Sequence, residues 1–373
     1  MIEKKHSISP KDYKVPEYRV RLFLSVDLTG STAFKHSQTN PLVWLKAFQK
    51  FYREFPKTLL DQYIELGKNS GLSDDEQRLG IPKLWKTVGD EILFCCKIYS
   101  IHHVSVCIEA FIQSLQLFGK NIQSSFNLDT KGNAWVASFP TPNSSIMPII
   151  KGDFTDDPLS GDNDLVTEDV EQRADESPNQ FDFLGKGIDS GFRISKNSSI
   201  DTLTISPGLA ILLLDACQNK GLTKFKRKIR LAEMQCFKGV AGNSPYPVLV
   251  IDVIRNNDYK KIFQAQNNLL GMNHRQDDTE LQAFLKDFLK FHNIECPVVK
   301  LYSNDSSFTL PNFYIEYKTA WEKEKIELEQ KTKNEEQSIE DLRDEDFQCT
   351  EDCKSEEPDV DFINEIIEPS KQS

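Results

Sequence analysis

The sequence predicts an α+β fold built around a central, antiparallel-rich sheet. Short alternating segments rich in Val, Leu and Phe, typical of strands, recur along residues 19–253. Two of them are joined by a tight Gly-Asp turn, which indicates a hairpin. Longer segments with helical spacing interleave with these strands, and that order favours an α+β layer over a doubly wound parallel sheet.

Residues 19–138 are predicted to alternate strands with helices. Segment 19–27 (RVRLFLSVD) alternates in the way of a strand, and the apolar residues of 41–67 recur at the spacing of an amphipathic helix. The predicted elements in chain order are a strand at 19–27, a turn at 28–32 that opens a helix, a helix at 41–67, hairpin strands at 83–88 and 91–96, a helix at 101–118 and a strand at 132–138.

A loop-like, solvated insertion is predicted at residues 140–180. Between 152 and 180 there are ten acidic side chains against Arg173 alone, without a clear period. The elements predicted after it are a helix from 186 to about 196, a strand at 202–205, a helix at 207–217 and strands at 230–237 and 247–253. The whole order of strands and helices is that of a ferredoxin-like layer.

The chain divides into four predicted parts. An N-terminal segment at 1–18 precedes a main domain at 19–255, which contains the acidic insertion. A small α/β extension at 256–321 is predicted to hold a helix at 280–292 and strands at 298–301 and 308–314. The tail at 322–373 has few aromatic residues and dense charge, so we expect a helix at 322–330 and a largely disordered segment beyond.

The charge of the chain is concentrated in this tail. The sequence has 57 acidic and 45 basic residues, a net charge of −12. Residues 322–373 hold 19 acidic and 7 basic side chains, which leaves 38 of each sign in the rest of the chain. An acidic chain of this kind is not expected to bind nucleic acid in general, whereas a neutral body with local basic residues is compatible with a triphosphate.

Two absences in the sequence predict a cytoplasmic protein. The longest apolar run, near 209–214, is too short to span a bilayer, and residues 1–16 lack an apolar signal core. Six of the eight cysteines lie in apolar surroundings and form no CxxC pair, which is typical of reduced core thiols. Cys349 and Cys353 have no histidine beside them, so no zinc site is expected.

Two aspartates stand where chemistry is possible. Asp27 ends a hydrophobic strand before a Thr-Gly-Ser-Thr turn, and Asp90 lies in the predicted hairpin turn. If the two strands are neighbours, both carboxylates meet at one sheet edge, where they could hold hard divalent cations. The turn at 29–32 would offer free backbone N–H groups to a triphosphate. Ordinary turn chemistry is the alternative explanation of both motifs.

Three motifs resemble those of class III nucleotidyl cyclases, in the family order. DLTGST at 27–32 is similar to the first metal motif, and KTVGDE at 86–91 is similar to the second. FDFLG at 181–185, followed by Arg193, resembles the segment that carries the family's Asp, Asn and Arg. The wording of the three motifs is most similar to the bacterial pyrimidine cyclases of the Pycsar anti-phage system. The resemblance implies a class III cyclase fold over residues 19–255.

The resemblance also implies roles for the motif residues. Asp27, Asp90 and the Leu28 carbonyl would bind two Mg²⁺ or Mn²⁺ ions, and Arg193 would stabilise charge on the α-phosphoryl group. Asp189 stands where the family has Asn, and Lys238 is similar in position to a late phosphate-binding lysine. The other predicted substrate contacts are Thr29, Gly30, Ser31 and Thr32 for the triphosphate, Lys86 and Asp182 for the base, and Phe51, Tyr52 and Trp85 as bulk that narrows a pyrimidine pocket.

In the family the metal aspartates and the Asp/Arg segment come from opposite subunits. A single cyclase domain per chain therefore implies a homodimer with two shared sites. The expected activity is conversion of UTP or CTP to cUMP or cCMP plus pyrophosphate, as a signal for a separate effector in anti-phage defence. Two alternatives stay open. One is a cAMP-forming enzyme, because Lys86 and Asp182 match the positions that read adenine in adenylate cyclases. The other is a catalytically inactive scaffold with the cyclase fold.

Overall fold

The structure is a computed structural model that describes residues 12–148, 165–219, 225–269, 277–302 and 305–351. Its strands are β1 (Arg19–Thr29), β2 (Lys83–Val88), β3 (Glu91–Ile98), β4 (Asp129–Phe139), β5 (Ser144–Ile146), β6 (Asp182–Leu184), β7 (Thr202–Ile205), β8 (Ile229–Cys236) and β9 (Pro245–Asp252). Its α-helices are α1 (Ser31–Ser37), α2 (Pro41–Ser70), α3 (Asp74–Leu79), α4 (Ile101–Phe126), α5 (Glu168–Glu176), α6 (Lys186–Ile194), α7 (Pro207–Gln218), α8 (Asn257–Leu269), α9 (Asp278–Phe291) and α10 (Asn312–Glu351).

Seven strands form the central sheet, in the order β2-β3-β1-β4-β7-β9-β8. All neighbours pair antiparallel except β4 and β7, which are parallel. The first four strands, with α2 and α4 between them in sequence, have the connectivity and strand order of a ferredoxin-like unit. The predicted α+β class with an antiparallel-rich central sheet is therefore confirmed.

The sheet is covered on both faces, and β1 shows how the sequence achieves this. Residues two apart in a strand share a face, so its even-numbered residues Val20, Leu22, Leu24 and Val26 lie together in the larger core, with α2, α4 and α7. Phe23 belongs to a second core, which also contains Trp135 of β4, Phe183 of β6 and Ile188 of α6. The side chains of β1 thus alternate between two hydrophobic cores, one on each face of the sheet.

The described part of the acidic insertion is folded, so the prediction of a solvated loop is wrong there. Residues 168–176 form α5, and Glu171 is fully buried. The guanidinium of Arg21 lies 2.7 Å from both the Glu171 and Asp175 carboxylates, and Arg19 pairs with Glu168 and Asp175. Three acids of this aperiodic run, Glu168, Glu171 and Asp175, are thus the ion-pair partners of the two arginines on β1. Residues 149–164 of the insertion lie outside the described residues.

The extension after residue 255 is helical where the structure describes it, not α/β. Helix α9 confirms the predicted helix, but residues 298–301 form no strand and α10 begins at Asn312, inside the second predicted strand. Helix α10 continues to Glu351, well beyond the predicted helix end at residue 330. Its first turns dock on the body, since Trp321 is buried and its Nε1 donates to the Val166 carbonyl at 2.7 Å. The predicted tail beyond residue 351 lies outside the described residues.

No helix in the described ranges combines the length and apolar character that crossing a membrane requires.

Candidate active site

Asp27 and Asp90 meet at one edge of the sheet. Strand β1 pairs antiparallel with β3, and Asp27 stands opposite Glu91, the residue that follows Asp90. The backbone N–H of Leu28 donates to the Asp90 carbonyl at 3.2 Å and closes the contact between strand end and hairpin turn. The two strands that the motifs predict are neighbours, so both carboxylates lie at the same place.

The turn after β1 is open and shaped by a glycine. Gly30 has φ 84°, in the left-handed region that glycine adopts without strain, and it precedes α1. The Ser31 hydroxyl donates to the Asp90 carboxylate, which ties the turn to the second aspartate. The Thr29 hydroxyl is buried and has no hydrogen-bond partner among the described residues, whereas Thr32 is exposed. This orphaned buried hydroxyl lies two residues after Asp27 in the same strand, and it is a polar group that a bound ligand could satisfy.

The second turn, Gly89-Asp90, is held by helix α2. Gly89 has φ 62°, again in the left-handed region. The Tyr52 hydroxyl donates to the Gly89 carbonyl, so the structure gives Tyr52 a contact with the turn that the sequence did not predict. Phe51 is fully buried in the larger core, and its predicted contact with a base is wrong for that reason.

Electrostatics at this edge favour a cation. Burial raises the pKa of Asp27 to about 6, the charges of Asp90 and Glu91 act in the same direction, and Lys131 opposes them. The Lys131 ammonium lies 3.8 Å from an Asp27 carboxylate oxygen, and each side chain is about one-third exposed, at 30% and 33%. Sequence reasoning missed Lys131, although its place opposite Asp27 follows from the register of β1 with β4.

The residues present fit a divalent cation with oxygen ligands. Two carboxylates, one of them disfavoured as a free anion by burial, form a donor set typical of Mg²⁺ or Mn²⁺ sites that use substrate phosphates for their other positions. Among the described residues there is no cluster of three or more His, Cys, Asp or Glu that could hold a metal. Any ion here would therefore need backbone, water or phosphate oxygens in addition to Asp27 and Asp90.

Lys86 and Asp182, the predicted base contacts, form an ion pair with each other. The ammonium and the carboxylate are 2.7 Å apart and partly exposed. The same ammonium lies 4.0 Å from the centre of the Trp85 ring. Trp85 itself is buried in the second core and its Nε1 donates to the Phe181 carbonyl at 3.0 Å, so its predicted role as pocket bulk is wrong.

Helix α6 presents Asp189 and Arg193 four residues apart, on one exposed side of the helix. Its opposite side is fixed to the sheet. A Cβ at Gly191 would stand 2.3 Å from the Trp135 indole, so only glycine permits this approach. The Asn143 side chain accepts from the Gly187 N–H at 2.9 Å and holds the first turn. Arg193 makes no ion pair with any residue that the structure describes.

Lys238 is exposed in the loop between β8 and β9. The residues after it, 239–242, line a cavity of about 270 Å³ together with Lys186 and Asp189 of α6. The loop after Lys238 and helix α6 thus face one cavity, but Lys238 itself is not among the residues that line it.

The predicted site residues fall into two groups within one chain. Asp27, Asp90 and the turn at 29–31 form the first group, at the edge of β1 and β3. Asp189, Arg193 and Lys238 belong to α6 and the neighbouring loop, and no hydrogen bond or ion pair joins them to the first group in the described part of the chain. The second group is exposed, whereas the first is only partly exposed, since Ser31 is buried and the Asp27 side chain is 33% exposed.

Comparisons with known proteins give the following similarities. No protein-family model matches the chain, and no curated protein matches it. Among solved structures, the adenylyl cyclase CyaB from P. aeruginosa is 10% identical over 65% of this chain and 96% of its own, with a TM-score of 0.41. The guanylate cyclase domain of RhGC from Catenaria anguillulae in complex with GTP is 11% identical over 63% and 97%, with a TM-score of 0.38. An adenylate/guanylate cyclase/hydrolase from Silicibacter pomeroyi is 15% identical over 63% and 97%, with a TM-score of 0.34. At such low identities and scores we take function from the geometry of the site.

Proposed function

We propose that this protein is a nucleotidyl cyclase that converts UTP or CTP to the 3′,5′-cyclic nucleotide and pyrophosphate. The observation that carries the proposal is the meeting of Asp27 and Asp90 at one sheet edge, beside the open turn with its unpartnered Thr29 hydroxyl. The reaction type is proposed from the three motifs that resemble class III cyclases. The pyrimidine substrate and the role in anti-phage signalling through a separate effector are proposed from the similarity of these motif sequences to bacterial pyrimidine cyclases.

The first group of residues would hold the metal and the triphosphate. Two Mg²⁺ or Mn²⁺ ions on Asp27, Asp90 and the Leu28 carbonyl would lower the pKa of the ribose 3′-hydroxyl and neutralise the leaving pyrophosphate. Lys131 and the Thr29 hydroxyl border the same edge, where they would bind phosphate oxygens. The hydroxyl of Ser31 orients the Asp90 carboxylate.

The second group would complete the site from a second copy of the chain. Arg193 would stabilise charge on the α-phosphoryl group, with a planar donor fork suited to phosphate oxygens. Lys238 would add a further phosphate contact, and Asp189 would accept from a ribose hydroxyl. In this homodimer each chain gives the metal group to one site and the α6 group to the other.

A cAMP-forming enzyme is the second candidate. Lys86 and Asp182 match the adenine-reading positions of adenylate cyclases, and their 2.7 Å ion pair shows that the two side chains do reach one another. The burial of Phe51 and Trp85 also removes two of the three bulky residues expected to narrow the pocket for a pyrimidine. The choice of base is therefore the part of the proposal that the experiment must test most directly.

The test is turnover of each of the four NTPs by the full chain with Mn²⁺, with products identified by mass spectrometry. We expect cUMP or cCMP plus pyrophosphate. Asp27→Asn and Asp90→Asn should each lower turnover by about a hundredfold or more, because each removes a charge that holds the ions. Asp75→Asn, in an exposed pair with Arg78, is the matched control and should keep full activity.

Other outcomes would contradict parts of the proposal. Formation of cAMP alone would replace the pyrimidine substrate by ATP. Absence of a cyclic product from all four NTPs would favour a non-catalytic scaffold. Full activity in either the Asp27 or the Asp90 variant would overturn the assignment of the metal ligands.

A further inference from the structure

The Gly89-Asp90 turn is fixed from three directions. The Leu28 N–H donates to the Asp90 carbonyl at 3.2 Å, from the neighbouring strand. The Ser31 hydroxyl donates to the Asp90 carboxylate, from the start of α1. The Tyr52 hydroxyl donates to the Gly89 carbonyl, from α2. The two residues of the turn are therefore contacted by three separate elements.

The contact from Tyr52 is supported by the core. The preceding residue, Phe51, is fully buried, and so is Phe55 one turn later. Their rings pack on Phe118 of α4 at centroid distances of 5.9 and 5.6 Å. Because α2 is anchored in the core at these positions, the packing of Phe51 and Phe55 fixes the helix backbone from which the half-buried Tyr52 reaches the turn.

The turn needs such support. Gly89 lies in the left-handed region, a Cβ built on it would contact nothing within 4 Å, and Val88 beside it is 53% exposed. Little packing from its own side chains restrains this backbone. A hydrogen bond to the Gly89 carbonyl therefore has a direct effect on where the next residue, Asp90, places its carboxylate.

We infer that Tyr52 is a positioning residue for the metal-binding turn, rather than a contact for the base. The inference rests on the proposed function, because it assigns Tyr52 to the cation bound by Asp90. Loss of one neutral hydrogen bond should weaken cation binding by roughly three- to tenfold, since the backbone would then sample other positions.

The test is the binding of Mn²⁺ alone to the full chain, measured by the electron paramagnetic resonance signal of the free ion. Tyr52→Phe should weaken binding by that three- to tenfold, and Asp90→Asn should abolish it. Tyr63→Phe is the matched control, since Tyr63 lies on the same helix and donates to a backbone carbonyl, that of Glu76 at 2.6 Å, away from the turn. It should leave Mn²⁺ affinity unchanged.

Two further measurements separate positioning from a general loss of stability. Hydrogen exchange of the peptide covering residues 86–92 should be faster in Tyr52→Phe than in Tyr63→Phe. The turnover deficit of Tyr52→Phe should shrink as Mn²⁺ is raised, because kcat at saturating metal is retained. Wild-type affinity for Mn²⁺ in Tyr52→Phe would overturn the inference while leaving the proposed function in place. If the wild type and Asp90→Asn bound Mn²⁺ equally, the metal site and this inference would both be wrong.

Discussion

At the scale of single residues, the surroundings of Asp27 disfavour the ionised form of its carboxyl group. Its carboxylate is desolvated and faces two further acids, so its pKa is raised to about 6. A cation at this edge would remove that disadvantage and return the group to its ionised form. The unliganded chain therefore holds a carboxylate that is easier to protonate than an ordinary aspartate.

His103 is the second residue whose surroundings disfavour its charge. It is fully buried, its Nδ1 accepts from the Tyr99 N–H at 3.4 Å, and its Nε2 lies 3.0 Å from the Tyr63 hydroxyl and 3.1 Å from the Gly80 carbonyl. Burial lowers the pKa of His103 below its ordinary value, against the opposing effects of Cys96 and Glu76. The folded chain thus holds this histidine neutral.

Stability should fall with acid because of His103. Below about pH 6.5 the unfolded chain protonates this residue and the folded chain does not, so the free energy of unfolding decreases by up to about 1.4 kcal/mol per pH unit. Asp27 has the opposite sign, since its raised pKa makes the folded chain bind a proton first. Denaturant unfolding between about pH 7 and 5.5 should therefore show a smaller loss of stability with acid in His103→Gln than in the wild type. An unchanged slope would contradict this, and His36→Gln, at an exposed position, is the control.

Residue type and spacing could predict that Asp27 and Asp90 stand at strand ends, but not the surroundings of every aromatic side chain. The sequence left open whether the two strands are neighbours, and the structure shows that β1 pairs with β3. Phe51 and Tyr52 are adjacent in sequence, yet one enters the core and the other contacts a turn. That difference depends on the rotation of α2 about its axis, which a single apolar pair does not fix.

At the scale of elements, α5 is joined to β1 by buried ion pairs. Arg21 is fully buried, donates to the Ser145 hydroxyl at 2.8 Å and to the Glu171 carbonyl at 2.9 Å, and stacks 4.5 Å from the centre of the Phe139 ring. With both carboxylate partners in place, nearly all its donors are satisfied. Removing one partner of a buried ion pair is strongly destabilising, because it leaves an uncompensated charge in the interior.

Removing Arg21 should therefore detach α5. Arg21→Leu leaves the Glu171 carboxylate buried without its cation and leaves Asp175 with Arg19 as its remaining arginine partner, and we expect the free energy of unfolding to fall by about 3–5 kcal/mol. Arg78→Ala, which breaks an exposed pair with Asp75, should cost less than about 0.5 kcal/mol. Denaturant unfolding of both variants, with limited proteolysis of the 165–180 segment, checks the difference. Equal costs for the two variants would contradict the role of the buried cluster.

The same cluster explains why the sequence misrepresented this element. A run of acids without a period is typical of a solvated loop, and the arginines that neutralise it lie about 150 positions earlier, as the separations of 149 and 154 show. Likewise, the apolar residues of 298–301 and 308–314 suggested strands, but neither segment pairs with a strand of the described sheet, whose edge strands are β2 and β8. Local propensity gave way to tertiary contacts in both places.

At the scale of the whole molecule, the proposed function requires the two groups of site residues to meet across two chains. Arg193 and Asp189 are exposed on α6, while Asp27 and Asp90 lie at the edge of β1 and β3. In a pair of chains related by a two-fold axis, the first group of each chain would lie against the second group of its partner, which gives two equivalent sites.

Mixing inactive variants tests this arrangement. Asp90→Asn and Arg193→Ala should each be inactive alone. About half of the dimers in an equal mixture contain one chain of each kind, and each of these has one intact site out of two, so the mixture should recover about a quarter of the wild-type activity. Asp27→Asn mixed with Asp90→Asn should recover nothing, because both changes affect the same group. Gel filtration and a dilution series should show activity lost with the dimer. A fully active monomer, or no recovery in the first mixture, would rule out a shared site.

The alternation of side chains along β1 limits which insertions and deletions the sequence can accept during evolution. Its even-numbered residues fill the larger core, and its odd-numbered residues run from the arginines that hold α5, through Phe23, to Asp27. Substitutions can alter either set one position at a time. A deletion or insertion of a single residue inside 19–27, however, would turn the arginines into the core and the leucines towards α5, and would move Asp27 off the site edge. We therefore expect related sequences to keep the length of this strand even where its residues differ.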